Sequence, residues 1–139
     1  MNINPYLSFN DQCEEAFNFY IKVLGGKFDF VLRNGESPMR DKIPSARHQL
    51  IMHAQISLGT HILMGADFPA DMHKPAGNVS LTVNYDTPAE AEKAFAALAT
   101  GANVRMPMQP TFFAKSFGSL TDRFGISWLI KGGDVPVNA

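Results

Sequence analysis

Apolar residues recur at helical spacing in two places along the chain. Cys13, Ala16, Phe17, Tyr20, Val23 and Leu24 form one stripe, and Ala91, Ala94, Phe95 and Leu98 form another. Each predicts an amphipathic helix with one buried face. The first stripe runs out at Gly25-Gly26 and the second before Gly101, where glycine readily ends a helix. Both starts carry capping patterns. Asp11 with Glu14 is an Asp-x-x-Glu arrangement able to satisfy the free amides of a first turn. Thr87-Pro88-Ala89-Glu90 offers a Thr cap, Pro at the first helical position and Glu at the third.

One strand-like stretch precedes each helix and three follow it. Leu7-Ser8-Phe9-Asn10 resembles Leu81-Thr82-Val83-Asn84. After the first helix come 27–33, 48–58 and 61–65, the last two joined by a tight Gly59-Thr60 turn. After the second come 103–108, 114–121 and 126–131. The closing pieces also match, Leu58-Gly59-x-x-x-Leu63-Met64 paralleling Phe124-Gly125-x-x-x-Leu129-Ile130. The pattern predicts an α+β fold of two βαβββ modules, forming a concave mixed sheet with helices on its outer face. It reads as a single domain over 1–139: first module 1–66, connection 67–77, second module 78–131 and tail 132–139. Segment 34–47, with Gly35, Pro38 and Pro44, reads as a mobile loop that could cover a ligand.

Composition narrows the function classes. A chain of 139 residues with 45% hydrophobic residues can bury the core of one domain. A net charge of -1 gives no general pull toward nucleic acid or anionic membrane, and neither is expected as a partner. No apolar run approaches the roughly 20 residues of a membrane span. The opening residues lack a basic region followed by a long apolar one, so no secretory signal is expected. The single Cys13 lies on the buried stripe of the first helix, a packing residue compatible with a reducing cytoplasm.

Several motifs together resemble a known family. They are Asn4-Pro5-Tyr6-Leu7-Ser8-Phe9, Glu15-Ala16-Phe17-Asn18-Phe19-Tyr20, Met52-His53-Ala54, Thr111-Phe112-Phe113 and the run from Thr121 to Trp128, Thr-Asp-Arg-Phe-Gly-Ile-Ser-Trp. They resemble the PhnB-like branch of the vicinal oxygen chelate superfamily, which includes glyoxalase I, extradiol dioxygenases and fosfomycin and bleomycin resistance proteins. That branch often bears a demethylubiquinone methyltransferase label. The residues argue against the activity, because the strand-to-helix turns hold no glycine at which backbone could approach a cofactor.

The resemblance implies four metal seats, on the first and last strand of each module. Aligned by the expected helix-facing residues, they hold Asn4, Leu63, Asn78 and Leu129. Leucine has no lone pair and a neutral amide is a poor ligand for zinc, nickel or iron, so neither metal nor other cofactor is expected. His48, His53, His61 and His73 do not make a seat from spacing alone. His48 and His53 should face opposite ways on one strand, while His53 and His61 could share a face.

Strand alternation then selects a pocket wall. With Leu7, Phe9, Leu81, Val83, Ile62, Met64, Trp128 and Ile130 under the helices, the pocket takes Tyr6, Ser8, Ser80, Thr82, His61, Leu63, Ser127 and Leu129. His53, Gln55 and Ser57 join them from the next strand. Phe112 and Phe113 could form an aromatic end, and Lys115 could meet an anionic group. For acid–base chemistry only His53 as base with Tyr6 as orienting donor stands out. No Arg or Gly-rich cluster is expected on a pocket strand. The leading expectation is a metal-independent small-molecule binding protein; an isomerase- or lyase-type enzyme and a structural or regulatory dimer are the alternatives. A homodimer follows from the resemblance, with Met39, Met72, Met106 and Met108 as exposed candidates for its interface.

Overall fold

The computed structural model describes residues 1–75 and 77–136, so Ala76 of the expected connection and 137–139 of the expected tail lie outside the described residues. The chain forms two compact units, Met1–Lys74 and Pro75–Ala139. The first contains β1 (Tyr6–Phe9), α1 (Cys13–Leu24), β2 (Lys27–Arg33), β3 (Ile51–Leu58) and β4 (His61–Asp67). The second contains β5 (Leu81–Tyr85), α2 (Pro88–Leu98), β6 (Asn103–Gln109), β7 (Ala114–Thr121) and β8 (Ser127–Asp134). The sheets are ordered β1-β4-β3-β2 and β5-β8-β7-β6. Each has one parallel pair, β1 with β4 and β5 with β8, and is otherwise antiparallel. The α+β class and the repeated βαβββ module are therefore as expected. Residues 132–134 belong to β8 rather than to a tail, because their backbone completes the pairing with β7.

Each sheet packs one face on its helix. In the first unit the ring of Phe17 meets that of Phe9 edge to face, 5.6 Å between centroids. The helix lies so close to β4 that a Cβ on Gly65 would come within 2.8 Å of the Phe17 ring. In the second unit a Cβ on Gly132 would stand 2.6 Å from the Ala91 Cβ. Phe9, Phe17, Ala54 and Ile56 are fully buried in the first core, as Ala91, Leu98, Leu120 and Ile130 are in the second.

The helices start differently. Thr87 caps α2 as expected, its Oγ1 accepting from the Glu90 amide at 3.3 Å with Pro88 in the first turn. The Asp11–Glu14 cap does not form. Asp11 sits at φ 63° and receives Arg47 through both carboxylate oxygens, while Glu14 pairs with Arg33. The first turn of α1 is satisfied from across the unit instead. Asp67, at the end of β4, accepts from the amides of Cys13 and Ile51 at 2.8 Å each. Burial holds this carboxyl above the usual carboxylate range despite the two hydrogen bonds that pull the other way.

Segment 34–47 folds into three 3-10 turns, Asn34–Glu36, Arg40–Lys42 and Ser45–Arg47. His48 Nε2 lies 3.1 and 2.9 Å from the carbonyls of Arg40 and Ile43, so it carries the proton and ties the segment together. Asn34 is buried and donates to the Arg47 carbonyl. The segment expected as a mobile loop is thus cross-linked by its own polar side chains. His48 is not part of β3, which begins at Ile51.

Candidate functional site

Pairing register decides which side chains leave the helix-packed face. In the first unit Tyr6 stands opposite Met64 and Met64 opposite Gln55, and Ile62 stands opposite Ser57. These rows lie on the far face, away from α1. Leu63 stands opposite buried Ile56, and His61 opposite Leu58, on the helix side. The expected places of Leu63 and His61 are therefore reversed with those of Ile62 and Met64. A one-residue slip flips every side chain of a strand, and the Gly59/Gly125 match produced such a slip. The β3–β4 turn spans Gly59 and Thr60, whereas β7 and β8 are separated by 122–126. His61 and His53 consequently do not share a face.

Tyr6, Phe30 and His53 gather on the far face of the first sheet. The Tyr6 and His53 rings are stacked at 8° and 5.5 Å, and Phe30 lies 5.1 Å from the imidazole. Tyr6 Oη is 3.2 Å from His53 Nδ1. Burial raises the Tyr6 phenol, reinforced by the nearby Cys13, so it stays protonated. The bond engages Nδ1 of His53 and leaves Nε2 for a further partner. Next to this cluster Asp29 accepts from Gln55 Nε2 at 2.9 Å and Ser57 Oγ at 2.5 Å. These bonds hold the Asp29 carboxyl below its usual range. Asp29 reaches the face because it is the residue skipped by the register between Phe28 and Phe30, a β-bulge. Neither Asp29 nor Phe30 was expected here; period-2 reading carries no signal of a bulge.

The second sheet has an equivalent device. The register skips Arg105 between Val104 and Met106, and its guanidinium donates from Nη2 to Ser127 Oγ. Ser127 and Ser80 hydroxyls are 2.7 Å apart. This bulge brings a single arginine, not a cluster, to the far face. Thr82 stands opposite Leu129 on the same face, as expected. Phe112, 78% exposed, packs edge to face on Phe113 at 5.2 Å, and Phe113 on Phe117 at 5.0 Å. Lys115 is exposed beside Gly133. It lies six residues along β7 from Thr121, the partner of Ser127, about 20 Å of strand away. Lys115 and Arg105 do not meet.

The donor set at the expected metal seats does not fit a divalent transition metal. Asn4 and Asn78 are exposed amides, Leu63 is turned toward α1, and Leu129 is apolar. In the pairing register Met64 replaces Leu63, and Ser80 corresponds to Asn4; a thioether and a hydroxyl do not improve the site. Among the described residues no three His, Cys, Asp or Glu side chains gather as a metal cluster. Cys13 is buried and its thiol is pushed up by burial, so it packs rather than reacts. Met39 and Met72 are exposed, whereas Met106 and Met108 are half-buried, with Met108 Sδ against Gly118.

The most distinctive motif has a structural task. Asp122 is buried; one carboxylate oxygen accepts from the Phe124 and Ile126 amides and the other from Trp128 Nε1, all at 2.9 Å. Asp-Arg-Phe-Gly-x-x-Trp is therefore a locked β7–β8 turn, with Gly125 at φ 92°. Residues 1–131 match the family described as 3-demethylubiquinone-9 3-methyltransferase. The chain belongs to this family. It is the PhnB-like family to which the motifs pointed.

A relative in Escherichia coli K12, protein YjdN, is 30% identical over 140 residues, covering 94% of this chain and 95% of its own. The crystal structure of protein PA1353 from Pseudomonas aeruginosa is 41% identical with a TM-score of 0.86, covering 96% and 98%. The fosfomycin resistance protein FosX from Listeria monocytogenes shares the fold, at 9% identity and a TM-score of 0.64, covering 96% and 93%. No helix among the described residues is long and apolar enough to cross a membrane.

Proposed function

We propose that this PhnB-like chain is a metal-independent small-molecule binding protein of the glyoxalase/bleomycin-resistance type. The observation that carries the reading is the far face of the first sheet, where Tyr6, Phe30 and His53 form an aromatic surface edged by Asp29, Gln55 and Ser57. Apolar area with a few fixed donors and acceptors suits a small ligand held by directional bonds. Ser8, Ser80, Thr82, Leu129, Phe112, Phe113 and Lys115 remain candidate contacts. His61 and Leu63, on the helix side, are not kept. The single-domain reading over 1–139, a cytoplasmic setting and a homodimer belong to the same proposal.

The family description is not carried over as a methyltransferase activity. The β1–α1 turn, Asn10-Asp11-Gln12, and the β5–α2 turn, Asp86-Thr87, contain no glycine. The isomerase or lyase alternative rests on the Tyr6–His53 hydrogen bond. That bond engages Nδ1 and leaves Nε2 for a ligand.

A thermal-shift screen with small acids, phosphonates and aromatic antibiotics tests the reading. The expected result is stabilisation by at least one compound, lowered tenfold or more in affinity by His53→Ala. At saturation of about 100 times Kd, the gain in stability is about 2.7 kcal/mol. No stabilisation by any compound favours the structural or regulatory dimer. Stoichiometric zinc, nickel or iron in purified protein overturns the metal-free reading.

A further inference from the structure

We propose that Arg105, Ser127 and Ser80 form an oxyanion-binding site on the second unit, one that takes a carboxylate or phosphoryl group. The inference rests on the binding reading above and adds a chemical class to it. Arg105 is extruded from β6 by the bulge between Val104 and Met106, which brings its guanidinium to Ser127 on the far face of the sheet. A guanidinium has five N–H donors in a fixed fork. Ser127 engages Nη2 through a neutral hydroxyl. Among the described residues no carboxylate lies within 4.0 Å of the Arg105 guanidinium, so its charge is not neutralised by an ion pair.

Two guanidinia of the first unit contrast with it, while a third, Arg40, donates to the Gly35 carbonyl. Arg33 and Arg47 are each matched by a carboxylate, Glu14 and Asp11, in two-point contacts. Arg105 is oriented by the Ser127 hydroxyl and left with most of its fork available. Ser127 is itself buried and fixed by Ser80 at 2.7 Å, so the anchor is pre-positioned. A planar fork held in place without a carboxylate suits bidentate recognition of an oxyanion, and preorganisation lowers the entropy lost on binding. The Ser80 hydroxyl, on the same hydrogen-bonded pair, supplies a neutral donor or acceptor beside it.

The test uses the full-length chain, with inorganic phosphate and benzoate as separate probes at matched ionic strength set by sodium chloride. Arg105 is exposed on an outer strand, so Arg105→Met should fold, which circular dichroism checks directly. Calorimetric titration should show millimolar or tighter binding of one probe, weakened tenfold or more by Arg105→Met and measurably by Ser127→Ala. Lys93→Met, which removes an equal charge from exposed α2, should leave that affinity unchanged. Phosphate binding with weak benzoate binding assigns a phosphoryl group, and the reverse a carboxylate. Equal affinity in wild type and Arg105→Met, or equal loss in Lys93→Met, overturns the site. So does binding of neither probe by folded wild type. Binding of an uncharged aromatic compound where neither oxyanion probe binds leaves the binding reading standing while this one fails.

Discussion

In β2 the residue pushed out of register is Asp29, and in β6 it is Arg105. Each bulged residue is the third of its strand, and each delivers its side chain to a hydroxyl on the far face. The backbone device is the same and the charge is opposite. Asp29 takes two neutral donors, Gln55 and Ser57, on one carboxylate oxygen, whereas Arg105 keeps most of its donors. Repetition has conserved the geometry of presentation while leaving the chemistry presented free to differ. The same division runs through the turns and caps. The β3–β4 turn is two residues long and needs only Gly59 at φ 66°; the β7–β8 turn is longer and is locked by a buried carboxylate.

The largest expected effect separates those two turns. Asp122→Ala strands three buried N–H donors and should lower stability by about 3 kcal/mol or more. Thr60→Ala in the short turn should stay within about 0.5 kcal/mol. Urea unfolding of the two variants measures both, and similar losses would remove the distinction. A smaller contrast lies at the helix starts. Thr87→Ala should cost about 1 kcal/mol through the lost cap of α2. Gln12→Ala should cost almost nothing, since the Gln12 side chain makes no capping bond. Thermal melts of this pair decide whether α1 is capped from Asp67 or from its own flank.

The smallest effect is in pH dependence. Because burial raises the Asp67 carboxyl, the folded chain binds that proton more tightly than the unfolded one. Its titration therefore favours the folded state below the unfolded value near 3.8, and that advantage is lost as pH rises through the raised folded value. The stability difference between wild type and Asp67→Asn should thus shift against wild type as pH rises across this window. Denaturant titrations at stepped pH measure it; a shift of the opposite sign would mean the two amide bonds outweigh burial.

Much of this was legible in sequence. The helices, the Thr87 cap, the strand count and the far-face placement of Tyr6, His53, Thr82 and Leu129 all follow from local period and local signals. What failed were features set by pairing between distant residues. Leu63 and His61 were misplaced because two turns of different length share a glycine. Asp29 and Arg105 were missed because a bulge leaves no trace in alternation. Asp11 was misread because a nearby capping spacing cannot reveal Arg47, 36 residues away, as a stronger partner.

The Asp67 clip also sets an order of assembly. All that α2 needs to begin is written within Thr87, Pro88 and Glu90, so its first turn can form as soon as those residues are free to meet. The first turn of α1 waits for an oxygen 54 residues further along the chain. That loop must close before the helix start is satisfied, at an entropic cost that local capping avoids. The two halves of one repeated architecture therefore differ in when their helices can be completed, the second from its own sequence and the first only after its last strand is in place.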